Sequence, residues 1–287
     1  MNTNRYTLKA YAKINLGLDV LRRRPDGYHE VSMVMQSVGL WDELTLERTE
    51  AGIFLTTDSG DLPADQSNLA YRAALLMLET WSVPGGVRIH LQKNIPIAAG
   101  MAGGSADAAA VMKGMNHLFG LGLSVGELME RSVVIGADVP YCILGGTALA
   151  EGIGERLTPL PPAPGCFVLI ARPDISVSTR EVYQGLELDR IRRHPDIGGM
   201  VSAVRAGDLS GILSRMENVL ETVTVPAHPV IASLKEELLR LGAAGSLMSG
   251  SGPTVFGLFP EEAAAREAFR QLQGNPAAKQ IFLTTFI

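Results

Sequence analysis

Apolar and polar positions alternate through the first third of the chain. Leu8 to Leu21 and Val31 to Leu40 read as strands on either side of Pro25-Asp26-Gly27, a strong turn signal. Glu43 to Glu47 and Gly52 to Thr56 continue that period. From Asn68 to Trp81 the period changes, with Leu69, Ala73, Leu76 and Met77 on one helical face. Val87, Ile89 and Leu91 then mark another strand. The next helix is predicted to open on Ser105 as its N-cap and to run to about Phe119. A further helix opens on the capping box Ser124-Val125-Gly126-Glu127 and ends near Ile135-Gly136. Val139 to Ile143 and Thr147 to Glu151 read as two short strands around Gly145-Gly146.

Pro159, Pro161, Pro162, Pro164 and Gly165 form the clearest linker and divide the chain into expected domains of residues 1–158 and 165–287. Beyond it, Phe167 to Arg172 reads as a strand and Met200 to Leu220 as two helical pieces. A helix from His228 to Leu241 starts near Pro229. Pro253 to Phe259 is a predicted strand, Glu261 to Gln273 a helix and Lys279 to Phe286 a final strand. Without a strict βαβ rhythm, the pattern favours an α+β class over a doubly wound sheet.

The 287 residues suit two domains, and 46% hydrophobic residues suffice for real cores. A net charge of -5 argues against a nucleic-acid partner. Arg22-Arg23-Arg24 is the one basic run, and a solvated hairpin tip accounts for it. Cys142 and Cys166 have no metal-ligand spacing, which fits two reduced thiols in a cytoplasmic protein. Met1 to Lys9 is polar where a signal peptide needs an apolar core, and no apolar run is long enough to span a membrane.

The most informative segment is Pro96-Ile97-Ala98-Ala99-Gly100-Met101-Ala102-Gly103-Gly104-Ser105, between a predicted strand and a predicted helix. Small residues let backbone N–H groups approach an anion, and the helix adds its positive end. Ser105 offers a hydroxyl to phosphate or to Mg²⁺. The spacing is neither a Walker loop nor a dinucleotide fingerprint. A plain packing turn is the competing reading. A second cluster, Gly245 to Thr254, holds Gly250 and Gly252, which suit positive φ or close approach to a ligand.

Lys13, in the apolar strand Ala12 to Leu16, would usually face outward, and Asp138, at a helix–strand junction, would usually be a turn former. Together they make a workable pair for phosphoryl transfer, in which a carboxylate takes a hydroxyl proton and an ammonium stabilises charge. Tyr28 and His29 follow the hairpin turn; they suit a nucleobase, or an ordinary exposed turn.

These segments resemble the GHMP kinases, whose three motif regions fall in order on Ala12 to Leu18, Ile97 to Ala109 and Gly245 to Phe256. Within that superfamily the chain is similar to the branch acting on 4-diphosphocytidyl-2-C-methyl-D-erythritol in the non-mevalonate isoprenoid pathway. The marks are Asp26-Gly27-Tyr28-His29-Glu30, Gly136 to Pro140 and Ala150 to Glu155. The resemblance implies a ribosomal-S5-like N-terminal domain and a ferredoxin-like C-terminal domain. It implies transfer of the ATP γ-phosphoryl group, with Mg²⁺, to the C2 hydroxyl of this small-molecule substrate. Lys13 and Asp138 then take the catalytic positions. Pro96, Ile97, Ala98, Ala99, Gly100, Met101, Ala102, Gly103, Gly104, Ser105 and Ala106 form the ATP loop, with Asn68 and Lys93 near the adenosine. Asn15, Tyr28, His29 and Tyr183 meet the substrate. A monomer or weak homodimer is expected, with no metal ligand assigned. A different GHMP acceptor, or a silent nucleotide-binding regulator, is the alternative; the Tyr28-His29 pair and the presence of both Lys13 and Asp138 count against them.

Overall fold

The computed structural model describes residues 4–60 and 62–287; Met1 to Thr3 of the polar N-terminal stretch, and Asp61, lie outside the described residues. The chain falls into two compact units, one of Met1–Ala12, Leu40–Ile97 and Ala102–Leu144, the other of Lys13–Gly39, Ala98–Met101 and Gly145–Ile287. The two longest strands, β1 (Arg5–Arg23) and β2 (His29–Thr49), contribute residues to both. They pair around the turn at Arg24 to Tyr28, closed by Arg24 N donating to Tyr28 O at 2.8 Å. Glu43 to Glu47 is thus part of the same strand as Val31 to Leu40.

In the first unit, Glu43 to Thr49 pairs antiparallel with β4 (Gly86–Gln92), and β3 (Ile53–Thr57) lies parallel to β4. Four helices follow the strand pattern: α1 (Leu69–Thr80), α2 (Gly103–Phe119), α3 (Val125–Ser132) and α4 (Val139–Leu144). Helices α1 and α2 pack together, their contact built from Ala, Met and Val side chains that permit close approach. The capping box forms as expected, with Ser124 and Glu127 exchanging side-chain-to-backbone hydrogen bonds.

Three expectations fail here or nearby for local reasons. Val139 to Ile143 is helical, not extended: Pro140 sits in a first turn, where its missing N–H costs nothing, and Cys142 N donates to Asp138 O at 3.0 Å. Ser105 is the third residue of α2, and the N-cap is Ala102, in the left-handed region at φ 57 with no side-chain cap. In the second unit, Gly245 to Met248 is a strand rather than a loop.

In the second unit, Val31 to Gln36 pairs with β5 (Thr147–Gly152), which pairs with β6 (Arg156–Pro159). After the proline run come β7 (Phe167–Arg172), α5 (Thr179–Gly185), α6 (Ile197–Ala206), α7 (Leu209–Leu213), α8 (Glu221–Ala227), α9 (Val230–Arg240), β8 (Gly245–Met248), β9 (Val255–Phe259), α10 (Glu262–Leu272) and β10 (Gln280–Thr285). These strands form an antiparallel sheet in the order β10-β7-β9-β8, with α9 and α10 packed on it. The core strand β9 is buried at every position, as its uninterrupted apolar sequence demands. Helix α8 escapes the sequence pattern because Pro226 discourages a helix reading, yet it sits near the end of the helix. No helix among the described residues is long and apolar enough to cross a membrane, and no disulfide joins Cys142 to Cys166.

Candidate active site

From Ala12 to Val20 every residue of β1 is buried, so this stretch loses the exposed face that alternation would give. Lys13 therefore points into the interior at 4% exposure, contrary to the outward-facing reading of a lone strand lysine. Its Nζ donates to Asn15 Oδ1 at 2.8 Å, and Asn15 Nδ2 reaches Met33 Sδ at 3.2 Å. Its backbone N–H donates to Met101 O at 3.2 Å.

Within this unit the three motif regions meet. Ser249 Oγ donates to Gly100 O at 2.9 Å. Gly100 and Gly250 both take positive φ, 73 and 57; a Cβ on Gly100 would collide with the Ser249 carbonyl oxygen, and one on Gly250 would crowd the Gly100 carbonyl oxygen at 3.1 Å. A Cβ on Gly250 would also lie 3.5 Å from Lys13 Nζ. The glycine cluster is held from behind by Asn218, whose Nδ2 donates to Met248 O at 2.9 Å and Gly250 O at 2.8 Å. The sequence reading missed Asn218; a buried amide in a stretch with no motif of its own gives no signal.

The hairpin tip brings a second group into place. Tyr28 is largely exposed, and its N–H is held by Asp26 Oδ1 at 3.1 Å. The His29 ring lies 5.3 Å from that of Tyr183 on α5, tilted by 34°. Burial, with help from the positive charge of Arg23, lowers the His29 pKa, so the imidazole is neutral at pH 7 and both donates and accepts. Thr179 and Ser251 hydroxyls share a 2.8 Å hydrogen bond, which ties the start of α5 to the glycine cluster. Met35, farther along β2 from His29, is fully buried.

The first unit carries the rest of the assigned residues except Ala98 and Ala99, which belong to the second. Pro96 is buried and Ile97 exposed ahead of the loop, and Ala102 to Ala106 lead into α2. The first turn of α2, Gly103-Gly104-Ser105, has no acidic residue and no side-chain cap, so its N–H groups and the helix's positive end are open to an anion. Ala98 and Ala102 carry positive φ, 51 and 57, a strain that non-glycine residues bear at functional turns. Asp138 is half-buried directly before α4, and a Cβ on the neighbouring Gly136 would lie 4.0 Å from Ser105 Oγ. Asn68 caps α1, its Oδ1 accepting from Ala70 N at 2.9 Å and its Nδ2 donating to Pro63 O at 2.9 Å. Lys93 Nζ is enclosed between the carboxylates of Asp42 and Asp107, neither singled out by the sequence motifs.

A family model described as GHMP kinases N terminal domain matches residues 68–146, and one described as GHMP kinases C terminal matches residues 200–278. The chain is 52% identical over 281 residues to a 4-diphosphocytidyl-2-C-methyl-D-erythritol kinase of Lachnoclostridium phytofermentans, covering 98% of this chain and 97% of the relative. It is 51% identical over 278 residues to the enzyme of that name from Lachnospira eligens, covering 96% of each. A crystal structure of 4-(cytidine 5'-diphospho)-2C-methyl-D-erythritol kinase matches with a TM-score of 0.83 and 34% identity, covering 98% of this chain and 99% of that one. A homoserine kinase from Cytophaga hutchinsonii matches with a TM-score of 0.79 at 25% identity, over 99% and 94% of the two chains. With both motif-bearing halves matched and half of all residues shared along nearly its full length, the chain belongs to the GHMP kinase family and, within it, to the 4-diphosphocytidyl-2-C-methyl-D-erythritol kinases.

Proposed function

We propose that the chain transfers the γ-phosphoryl group of ATP to the C2 hydroxyl of 4-diphosphocytidyl-2-C-methyl-D-erythritol, in the non-mevalonate supply of isoprenoid precursors. The observation that carries this reading is the Lys13 ammonium, at 4% exposure, beside Asn15 and the Gly250 turn. A buried ammonium at a backbone turn suits the charge that develops on a transferred phosphoryl group.

In this reading Asp138 accepts the proton of the C2 hydroxyl as its oxygen bonds to the γ-phosphorus. The bond to the bridging oxygen breaks, and ADP leaves. Lys13 stabilises the phosphoryl oxygens, and Asn15 orients the acceptor. The loop from Pro96 to Ala106 binds the triphosphate through backbone N–H groups at the open start of α2. Asn68 and Lys93 border the adenosine through their backbone, since their side chains are engaged elsewhere. Tyr28 and Tyr183 flank the cytosine, and neutral His29 pairs with its polar edge. That aromatic set favours a nucleotide-linked acceptor over homoserine or mevalonate.

Among the described residues, no group of three or more His, Cys, Asp or Glu is placed to hold a metal ion. Magnesium on ATP asks little of a protein, because it keeps water and phosphate oxygens as most of its ligands. The Ser105 hydroxyl, a hard oxygen in the uncapped first turn of α2, fits such an ion and would hold it. Bound there, Mg²⁺ neutralises triphosphate charge. The same reading divides the chain into domains 1–158 and 165–287 and takes it as a monomer or weak homodimer in the cytoplasm.

The test is ADP release by the purified protein with the cytidine substrate, homoserine or mevalonate as acceptor. Turnover only with the cytidine substrate is expected; turnover with either of the others in its place refutes the acceptor assignment.

A further inference from the structure

The small-residue loop begins and ends on a buried charge cluster that the motif residues do not include. Lys93 stands where β4 runs out toward the loop, and Asp107 stands in the second turn of α2, where the loop has ended. Lys93 Nζ donates to Asp107 Oδ2 at 2.8 Å and to Asp42 Oδ2. The Lys93, Asp42 and Asp107 side chains are 7%, 0% and 3% exposed. The second oxygen of Asp42 accepts from Asn94 N and, at 2.8 Å, from Ile95 N, so it grips the first residues of the loop by their backbone. A Cβ on Gly103 would lie 3.4 Å from Lys93 Nζ and 3.0 Å from Ile95 Cγ2, so the first turn of α2 rests directly on this cluster.

We infer that Asp42, Lys93 and Asp107 form a clamp that sets the entry and exit of the phosphate loop, with Asp42 and Asp107 as positioning residues for ATP. The inference rests on the kinase reading of that loop. Three segments, the middle of β2, the end of β4 and the second turn of α2, are fixed by one ammonium. Removing either counter-charge leaves a buried ion mispaired, and the backbone must move to admit water. The backbone that moves is the one whose N–H groups face the triphosphate.

The charge balance supports the same role. One ammonium faces two carboxylates, and Asp107 Oδ1 is buried with no hydrogen-bond partner among the described residues. Burial works to lower the Lys93 pKa, but Asp107 and Asp42 outweigh it and the ammonium is retained.

Calorimetric binding of a non-hydrolysable ATP analogue, with kcat and both KM values, tests the clamp on the full chain. Lys93→Met and Asp42→Asn are expected to weaken analogue binding and raise the KM for ATP roughly 10- to 100-fold, the scale of a small misplacement. The KM for the acceptor should stay within about twofold, and Lys93→Arg should restore part of the loss. Asp107→Asn keeps the shape and an acceptor for Lys93 but not the charge; it should raise the KM for ATP, though less than Asp42→Asn does. Variants that melt early but bind the analogue like wild type would overturn the clamp, because a merely structural cluster behaves that way. If Asp42→Asn does not fold, a Lys93→Met chain that binds the analogue like wild type overturns it equally. A wild-type chain that binds no analogue at all brings down the kinase reading itself.

Discussion

Ser249 Oγ donates a 2.9 Å hydrogen bond to the carbonyl of Gly100, joining two turns 149 residues apart in the chain. The Gly100 turn has no room for a side chain at this contact. A Cβ on Gly100 would collide with the carbonyl oxygen of Ser249 and approach that of Gly252 to 3.1 Å, at a φ of 73 that L-residues avoid. Gly100→Ala is therefore expected to cost about 2–4 kcal/mol, combining left-handed strain with backbone displacement. Ser249→Ala, which removes only the hydroxyl, should cost about 1 kcal/mol. Urea unfolding of both variants checks this; a Gly100→Ala protein as stable as Ser249→Ala contradicts the close approach.

Asp138→Asn is expected to bind an ATP analogue as wild type does and to lose roughly 10²- to 10⁴-fold in kcat, the usual contribution of a general base. Lys13→Met should lose kcat on a similar scale with its fold intact, since methionine fills a buried site of that length. Single-turnover rates with both substrates saturating separate these effects from binding. An Asp138→Asn enzyme within about tenfold of wild type removes that residue from proton transfer.

Ala98 holds φ at 51, a conformation in which an alanine costs about 1 kcal/mol or more and a glycine almost nothing. Ala98→Gly should consequently leave stability unchanged or raise it by up to about 1 kcal/mol, the reverse of an ordinary alanine-to-glycine change. Thermal melting decides between the two signs.

Much of this site was legible before any coordinates. Residue type and order alone single out Lys13, the small-residue loop and the glycine cluster as candidates, and the structure brings Lys13, Gly100 and Gly250 together. What stayed hidden depends on distance in sequence. Asp42 and Asp107 are separated from Lys93 by 51 and 14 positions, and nothing local marks them as its partners. Asp107 hides further, next to the predicted apolar face of α2. The strand reading of Val139 to Ile143 failed because β-branched and apolar residues favour both states over so short a run, and the first-turn position of Pro140 decided for helix. Ser105 is a good N-cap by residue type, but the chain enters α2 through the left-handed Ala102 instead.

His29 has a pKa below the ordinary histidine value because burial, and then Arg23, disfavour its charged form. The neutral ring, which the proposed function sets against cytosine, thus persists to lower pH than a free imidazole would. The KM for the cytidine substrate is expected to stay flat from pH 8 down through the usual histidine range and to rise only below it. His29→Ala should raise that KM at every pH and abolish the acid-side rise, with the KM for ATP unchanged. A rise centred at or above about 6.5 in the wild type would contradict the neutral-ring account.

Asp107 makes the stability of the folded chain depend on pH in a direction opposite to most carboxylates. Its folded-state carboxyl holds a proton up to about 8, mainly through burial, whereas in the unfolded chain it releases that proton near the ordinary value of 3.8. Between those two values the folded state binds more protons than the unfolded state, so stability falls as pH rises across that window. One such proton changes the unfolding free energy by up to about 1.4 kcal/mol per pH unit. Asp107→Asn carries no proton to lose, so its stability relative to wild type should improve steadily from about pH 5 to pH 8. Urea unfolding of both proteins at three pH values within that range reads the difference directly and cancels every other titrating group. Parallel profiles would mean that Asp107 loses its proton at the same pH in the folded chain as in the unfolded one, despite the burial of its carboxyl.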